Sequence, residues 1–343
     1  MSLTCGIIGL PNVGKSTIFN ALTSSSVPAE NYPFCTIEPH VGIVPLPDSR
    51  LDILEKIYNP EVVTPATVEF TDIAGLVKGA STGEGLGNQF LGQIRQVDAI
   101  IHIVRCFEDG NISHVEETID PIRDIELIET ELLLADLNTI DKSLVRLEKL
   151  SKSDKSILVN VEIVRQLKEF CDNGNPVRNF ISNNKDFKCI KDLFLLTAKP
   201  IMYVANINEQ ELMSDKNSSY SDALIANIEK NGGEIIKLCG KVEQEISILD
   251  NTEQAEFLSE YNLDEPGLNV LIRKAFKSLD LETYFTGGEK EVRAWTIKKG
   301  STAPIAAAEI HTDFEKGFIK AEIIKYDDLI KMGSEKLVKE AGL

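Results

Sequence analysis

Residues Gly9 to Thr17 read GLPNVGKST, and the fold turns on how that stretch is taken. It matches GxxxxGK[ST]. An apolar run, Leu3 to Ile8, leads into it, and Ile18, Phe19, Ala21 and Leu22 follow at helical spacing. Strand, glycine loop and helix form the context in which such a loop wraps a phosphate chain. Asn12, Val13, Gly14, Lys15, Ser16 and Thr17 are therefore the expected nucleotide cradle. Glycine lets the backbone amides turn inward, the helix N-terminus adds partial positive charge, Lys15 neutralises the outer phosphates, and the Ser16 hydroxyl is a magnesium ligand. The loop alone does not separate ATPases from GTPases or kinases.

VEFTDIAGL, Val68 to Leu76, is a second apolar strand ending in Asp-x-x-Gly. Asp72 is placed to hold magnesium through water, and Gly75 to present a backbone N–H to the terminal phosphate. Between the two motifs lies NYPFCTIEPHVG, a proline-broken loop with Thr36 in it. A threonine there completes the magnesium shell only when a third phosphate is bound, which makes the segment a switch. Ras-like enzymes follow the Asp-x-x-Gly glycine with a glutamine that orients the attacking water. This chain has Leu76, which cannot hold water, so slow basal hydrolysis is expected.

Buried-strand candidates are Leu3 to Gly9, Val41 to Leu46, Thr67 to Asp72, Ala99 to Cys106, Ile201 to Asn206 and Glu234 to Leu238. Four of them run straight into a candidate functional loop, as the carboxyl ends of strands in a doubly wound α/β domain do. The fourth and fifth are too far apart for one crossover helix. Leu133, Leu137, Ile140, Leu144 and Leu147 alternate steps of four and three, and Ile157, Val161, Val164, Leu167 and Cys171 nearly repeat them. That spacing predicts an inserted helical arm of coiled-coil type, with the polar SKSDKS as its tip. The predicted organisation is a discontinuous nucleotide-binding domain (1–119 and 199–280), the arm (120–198) and a small α+β module (281–343), whose alternating stretches, Val292 to Ile297 and Phe318 to Ile324, read as strands.

The net charge of -18 argues against broad nonspecific coating of nucleic acid. From Leu281 onward, however, ten Lys or Arg stand against eleven Asp or Glu, so Lys298, Lys299, Lys316, Lys320 and Lys325 offer a local basic face for RNA. The six cysteines show no zinc or redox spacing and read as free thiols. The chain enters a strand at once, without a leader, and has no run of roughly 18 apolar residues, so a cytoplasmic protein without a membrane partner is expected.

Taken together, GLPNVGKST, NYPFCTIEPHVG, DIAGLVKGAS, NINE and HTDFEKGFIKAEII resemble the YchF family of Obg-like ATPases, along essentially the whole chain. The resemblance implies a Ras-like P-loop NTPase domain, a coiled-coil insertion and a C-terminal TGS module. It also implies a preference for ATP and an association with the ribosome. Family members continue past AGL through further strands of that module, whereas this sequence ends at Leu343. Guanine readers carry Asn-Lys-x-Asp, whose aspartate accepts from the ring N1–H and the C2 amine. Here the frame is Asn206, Ile207, Asn208 and Glu209. Glu209 displaces the carboxylate, Ile207 leaves an apolar surface where the lysine stem covers the base, and Asn206 can still address purine N7 and the adenine N6 amine. The resemblance further implies backbone contacts from Gly240 in a second base-side loop, a water-positioning role for His114, and a potassium ion beside Asn12. Two alternatives stay open: a GTPase of the same fold, and a binding module that holds ATP with negligible turnover.

Overall fold

The computed structural model describes residues 3–24, 40–74, 86–110, 118–182, 188–214 and 216–343. Its elements begin with β1 (Thr4–Ile8), α1 (Lys15–Ser24), β2 (Val41–Pro45), α2 (Ser49–Tyr58), β3 (Val62–Thr64), β4 (Thr67–Asp72), α3 (Leu86–Gln96) and β5 (Ala99–Arg105). A helical stretch follows, α4 (Pro121–Ser151), α5 (Leu158–Asp172), α6 (Val177–Ser182) and α7 (Lys188–Lys191). The chain returns through β6 (Ile201–Asn206), α8 (Glu209–Leu212), α9 (Ser219–Lys230), β7 (Glu234–Leu238), α10 (Gly240–Ile246), α11 (Asn251–Glu260) and α12 (Gly267–Ser278). It ends with β8 (Leu281–Thr286), β9 (Glu291–Lys298), α13 (Ala303–Ile310), α14 (Thr312–Lys316), α15 (Tyr326–Met332) and α16 (Glu335–Glu340).

Two compact units result, one of residues 3–44 and 68–279, the other of 45–67 and 280–343. In the first, the described strands form a sheet in the order β2-β4-β1-β5-β6-β7. β1 pairs in parallel with β4 on one side and β5 on the other, and β5, β6 and β7 continue in parallel. All seven residues of β5 are buried, as a strand covered on both faces requires. The chain switches direction across the sheet at β1. Its carboxyl end is thus the crevice where open α/β sheets take ligands.

β5 also carries an ionisable group into the core. His102 is 1% exposed, its ring lies 5.6 Å from that of Tyr203, and its Nδ1 has no hydrogen-bond partner among the described residues. Burial pushes its pKa down from 6.5 to about 3, and Arg178 adds to the effect. Below about pH 6.5 the unfolded chain takes up a proton that the native state refuses. The contribution is therefore complete above that pH and is lost as pH falls toward 3, by about 1.4 kcal/mol per pH unit. His102→Phe keeps a ring and removes the titration, so urea midpoints should fall less between pH 7 and pH 5 than in the wild type; parallel slopes would contradict this.

α4 is 31 residues long, about 46 Å. Asp120 caps it by accepting from the Arg123 N–H, and Pro121 occupies the first turn, where no donor is lost. α4 and α5 are joined by a short turn around Asp154, whose side chain accepts from the Ser156 N–H. Ile140, Val164, Leu167, Cys171, Val177, Phe180, Ile190 and Leu195 make a separate core, with Leu133, Leu137, Leu144 and Leu147 packed against it. The predicted 3-4 spine is this core. The arm is tied to β6 by Asp136, fully buried in α4, which accepts from the N–H groups of Leu196 and Thr197 and from the Thr197 hydroxyl, each at 2.7 Å.

In the second unit, β8 and β9 form an antiparallel hairpin in which Leu281 faces Lys298 and Thr286 faces Arg293. β3 lies parallel on the other side of β9, with Val62 opposite Glu291. α2 belongs with them. Its cap Asp48 pairs with Arg50, whose guanidinium donates to the Thr283 hydroxyl at 2.6 Å and lies over the Phe285 ring. Residues 45–67 thus fold with the C-terminal strands. Phe318 to Ile324, expected as a strand, is irregular, with Ile319 91% and Ile323 78% exposed. β9 already has a strand on each side, and alternation without a ladder partner does not make a strand.

Candidate nucleotide-binding site

The loop between β1 and α1 turns through two left-handed residues, Asn12 at φ 63° and Gly14 at φ 93°. A Cβ on Gly14 would stand 2.2 Å from the Asn206 Nδ2, so both backbone angle and space demand glycine. α1 then starts at Lys15, with the Ile18 N–H donating to the Gly14 carbonyl. Val13 is buried beneath the loop; Ser16 is exposed in the first turn, with Thr17 half-buried beside it. The Lys15 ammonium lies 3.6 Å from Asp72 Oδ1, both side chains mostly buried. Asp72 closes β4, and its Oδ1 is a buried oxygen without a hydrogen-bond donor among the described residues. A hard carboxylate oxygen, buried beside the phosphate lysine, suits a magnesium ion or its water shell.

On the neighbouring side, β6 ends at Asn206, which is 4% exposed. Its amide donates to the Val13 carbonyl at 2.8 Å, and its oxygen accepts from the Gly240 N–H at 2.9 Å. One side chain therefore braces the phosphate loop against the first turn of α10. The strand ends are clamped as well: the Cys106 N–H donates to the Asn206 carbonyl at 2.9 Å and the Ile207 N–H to Leu238 at 3.0 Å.

Ile207 does not present the open apolar surface expected of it. It is 1% exposed, in a cluster with Cys106, Cys239, Val242 and Tyr261. Unlike lysine, isoleucine has no charged end that must reach water, so it turns into the core. Glu209 opens α8, with Asn208 as its cap. Its Oε1 accepts from the Tyr261 hydroxyl at 2.6 Å and its Oε2 from the Lys241 ammonium at 3.2 Å. These two donors, Tyr261 first, hold the Glu209 carboxyl below its usual pKa, and the same hydrogen bond pushes the Tyr261 phenol up, so it remains a donor. Tyr261 was not legible as a functional residue: it lies 52 positions away in a segment without a motif.

Thr36, Gly75, Leu76 and His114 lie outside the described residues. The loop that leads toward His114 is anchored by Arg105, 1% exposed at the end of β5, which donates to the Phe107 carbonyl at 3.0 Å and lies over the Phe107 ring. No described helix is long and apolar enough to cross a membrane.

A glycine loop between a buried parallel strand and a helix, with a lysine and an aspartate converging at the switch point, defines a P-loop nucleoside triphosphatase of Ras-like fold, here with a helical insertion and a small C-terminal α+β module. The family described as "50S ribosome-binding GTPase" matches residues 4–160, and the YchF-GTPase_C family, described as a protein of unknown function, matches residues 281–343. The ribosome-binding ATPase YchF of Haemophilus ducreyi is 52% identical over all of this chain and 94% of its own length, and that of Bacillus subtilis is 50% identical with the same coverage. The solved structure of the Schizosaccharomyces pombe YchF GTPase superposes with a TM-score of 0.88 at 39% identity, over 99% of this chain and 92% of that one. The chain belongs to the YchF family.

Proposed function

We propose that this protein is a slow, magnesium-dependent ATPase that works as a nucleotide switch on the ribosome. The observation that supports the reading is the pairing of Lys15 with Asp72, mostly buried at the mouth of the glycine loop. Lys15 and the amides of residues 12 to 17 hold the β and γ phosphates, while Ser16, Asp72 and, with a third phosphate, Thr36 form the metal site. Magnesium held by these residues would offset the charge that develops as the γ-phosphoryl group departs. Gly75 donates its N–H to the γ-phosphate, His114 orients water in place of the glutamine that Leu76 replaces, and a potassium ion sits beside Asn12 and the phosphates.

ATP is the proposed nucleotide because Glu209 stands where a guanine reader has aspartate, and because the Haemophilus ducreyi and Bacillus subtilis relatives are named ribosome-binding ATPases. Segments 1–44, 68–119 and 199–279 form the nucleotide domain, 120–198 the arm and 281–343 a TGS-like module, with which residues 45–67 fold. The arm and that module face the ribosome, with exposed Lys298, Lys299, Lys316, Lys320 and Lys325 as RNA contacts, and the protein is cytoplasmic. Phosphate release from ATP should be slow with magnesium, abolished by chelation and accelerated by added ribosomes. A rate indifferent to ribosomes would instead favour ATP as a structural ligand.

A further inference from the structure

The base-side carboxylate is already fully engaged within the protein, and this bears on how a purine is chosen. A carboxylate reads guanine by accepting from two donors on the base, which needs both of its oxygens. Both oxygens of Glu209 have protein donors instead: the Tyr261 hydroxyl on one and the Lys241 ammonium on the other. The two donors differ in stiffness. Lys241 is 70% exposed and shared with Glu245 at 4.0 Å, whereas Tyr261 is 7% exposed, with its ring stacked on Phe257 at 4.9 Å between centroids. Its mount is built from α11, which starts with a capping box between Asp250 and Glu253 and ends with the Tyr261 N–H donating to the Phe257 carbonyl. Of the two donors the tyrosine is thus the rigid post.

We infer that Tyr261 is a positioning residue for base selection: with Lys241, it keeps the Glu209 carboxylate turned from the base and so excludes a guanine-bearing triphosphate. This rests on the ATP reading above and adds to it that exclusion depends on the tether as well as on the length of glutamate. Adenine has no donor pair for a carboxylate, so a tethered Glu209 costs it nothing. Guanine would have to draw the carboxylate off two charge-assisted hydrogen bonds, or leave its own N1–H and amine unpaired.

The test is calorimetry on the full chain with the magnesium complexes of the β,γ-imido analogues of ATP and GTP. In Tyr261→Phe, which keeps the stacked ring, affinity for the GTP analogue should rise about three- to tenfold while that for the ATP analogue holds. Lys241→Gln should shift the ratio in the same direction, and provides a second route should the tyrosine variant fold poorly. In a Glu209→Ala background, Tyr261→Phe should leave the ratio where it is. A tyrosine with a purely structural role would weaken both analogues alike, and an unchanged ratio in both single variants overturns the tether while leaving ATP selection standing. Equal wild-type affinities for the two analogues overturn ATP selection itself, and the tether with it.

Discussion

Asn206→Ala should lower nucleotide affinity by more than about tenfold and cost about 2–4 kcal/mol of stability, because two buried backbone groups lose their partners at once. The Asn206 amide spans from the Val13 carbonyl in the phosphate loop to the Gly240 N–H at the start of α10, at 2.8 and 2.9 Å. Alanine leaves one acceptor and one donor buried and dry. The phosphate loop then loses this brace on its base-side half, and the left-handed turn at Gly14, packed directly on this amide, is free to relax. Aspartate in this position supplies the acceptor for Gly240 but not the donor for Val13, so Asn206→Asp should recover part of the stability and little of the binding. Urea denaturation and calorimetry on the same preparations separate the two losses. A variant of wild-type stability that binds normally would remove the brace from the account.

The second large effect is expected far from the phosphates. Asp136→Ala should cost about 3 kcal/mol or more, because three donors around a fully buried carboxylate are left without an acceptor. The Thr197 hydroxyl that donates to Asp136 also accepts from the Val177 N–H at 3.0 Å, so the loss spreads from α4 to α6 and to the turn before β6. That turn delivers the strand ending in Asn206. Asp141→Ala, also on α4, removes a half-exposed ion pair with Lys168 of α5; it is the matching control and should change little. If both variants unfold at the same denaturant concentration as the wild type, Asp136 is not the tie between arm and sheet.

The parts of this molecule legible in the sequence are those governed by local pattern. GLPNVGKST carried its own strand and helix, and the six strands of the large sheet were each apolar runs ending near a loop. The arm was visible because a narrow 3-4 leucine spine has few other uses, and its leucines do pack in a core of their own. What escaped depends on partners distant in the chain. β3 is three residues long and is a strand only because β9 lies beside it. Phe318 to Ile324 has the alternation of a strand and no ladder partner among the described residues. β8 could have been found, since LETYFT is rich in β-formers and runs into Gly287 and Gly288 before β9. At the site, Asn206 was read as a base contact, yet its described partners are backbone groups of two loops. Ile207 was read as a base-facing surface and lies in the core. Side-chain roles of this kind are set by which loops meet, and a linear motif does not carry that information.

The central claim is that a P-loop protein with glutamate in its base-reading frame selects ATP. Calorimetry with the magnesium complexes of nonhydrolysable ATP and GTP analogues tests it most directly, on the wild type and on a variant carrying Glu209→Asp with Ile207→Lys. The account predicts tighter binding of the ATP analogue and a shift toward the GTP analogue in the variant. Equal affinities, unchanged by the two substitutions, would contradict it and move purine selection away from residues 206 to 209.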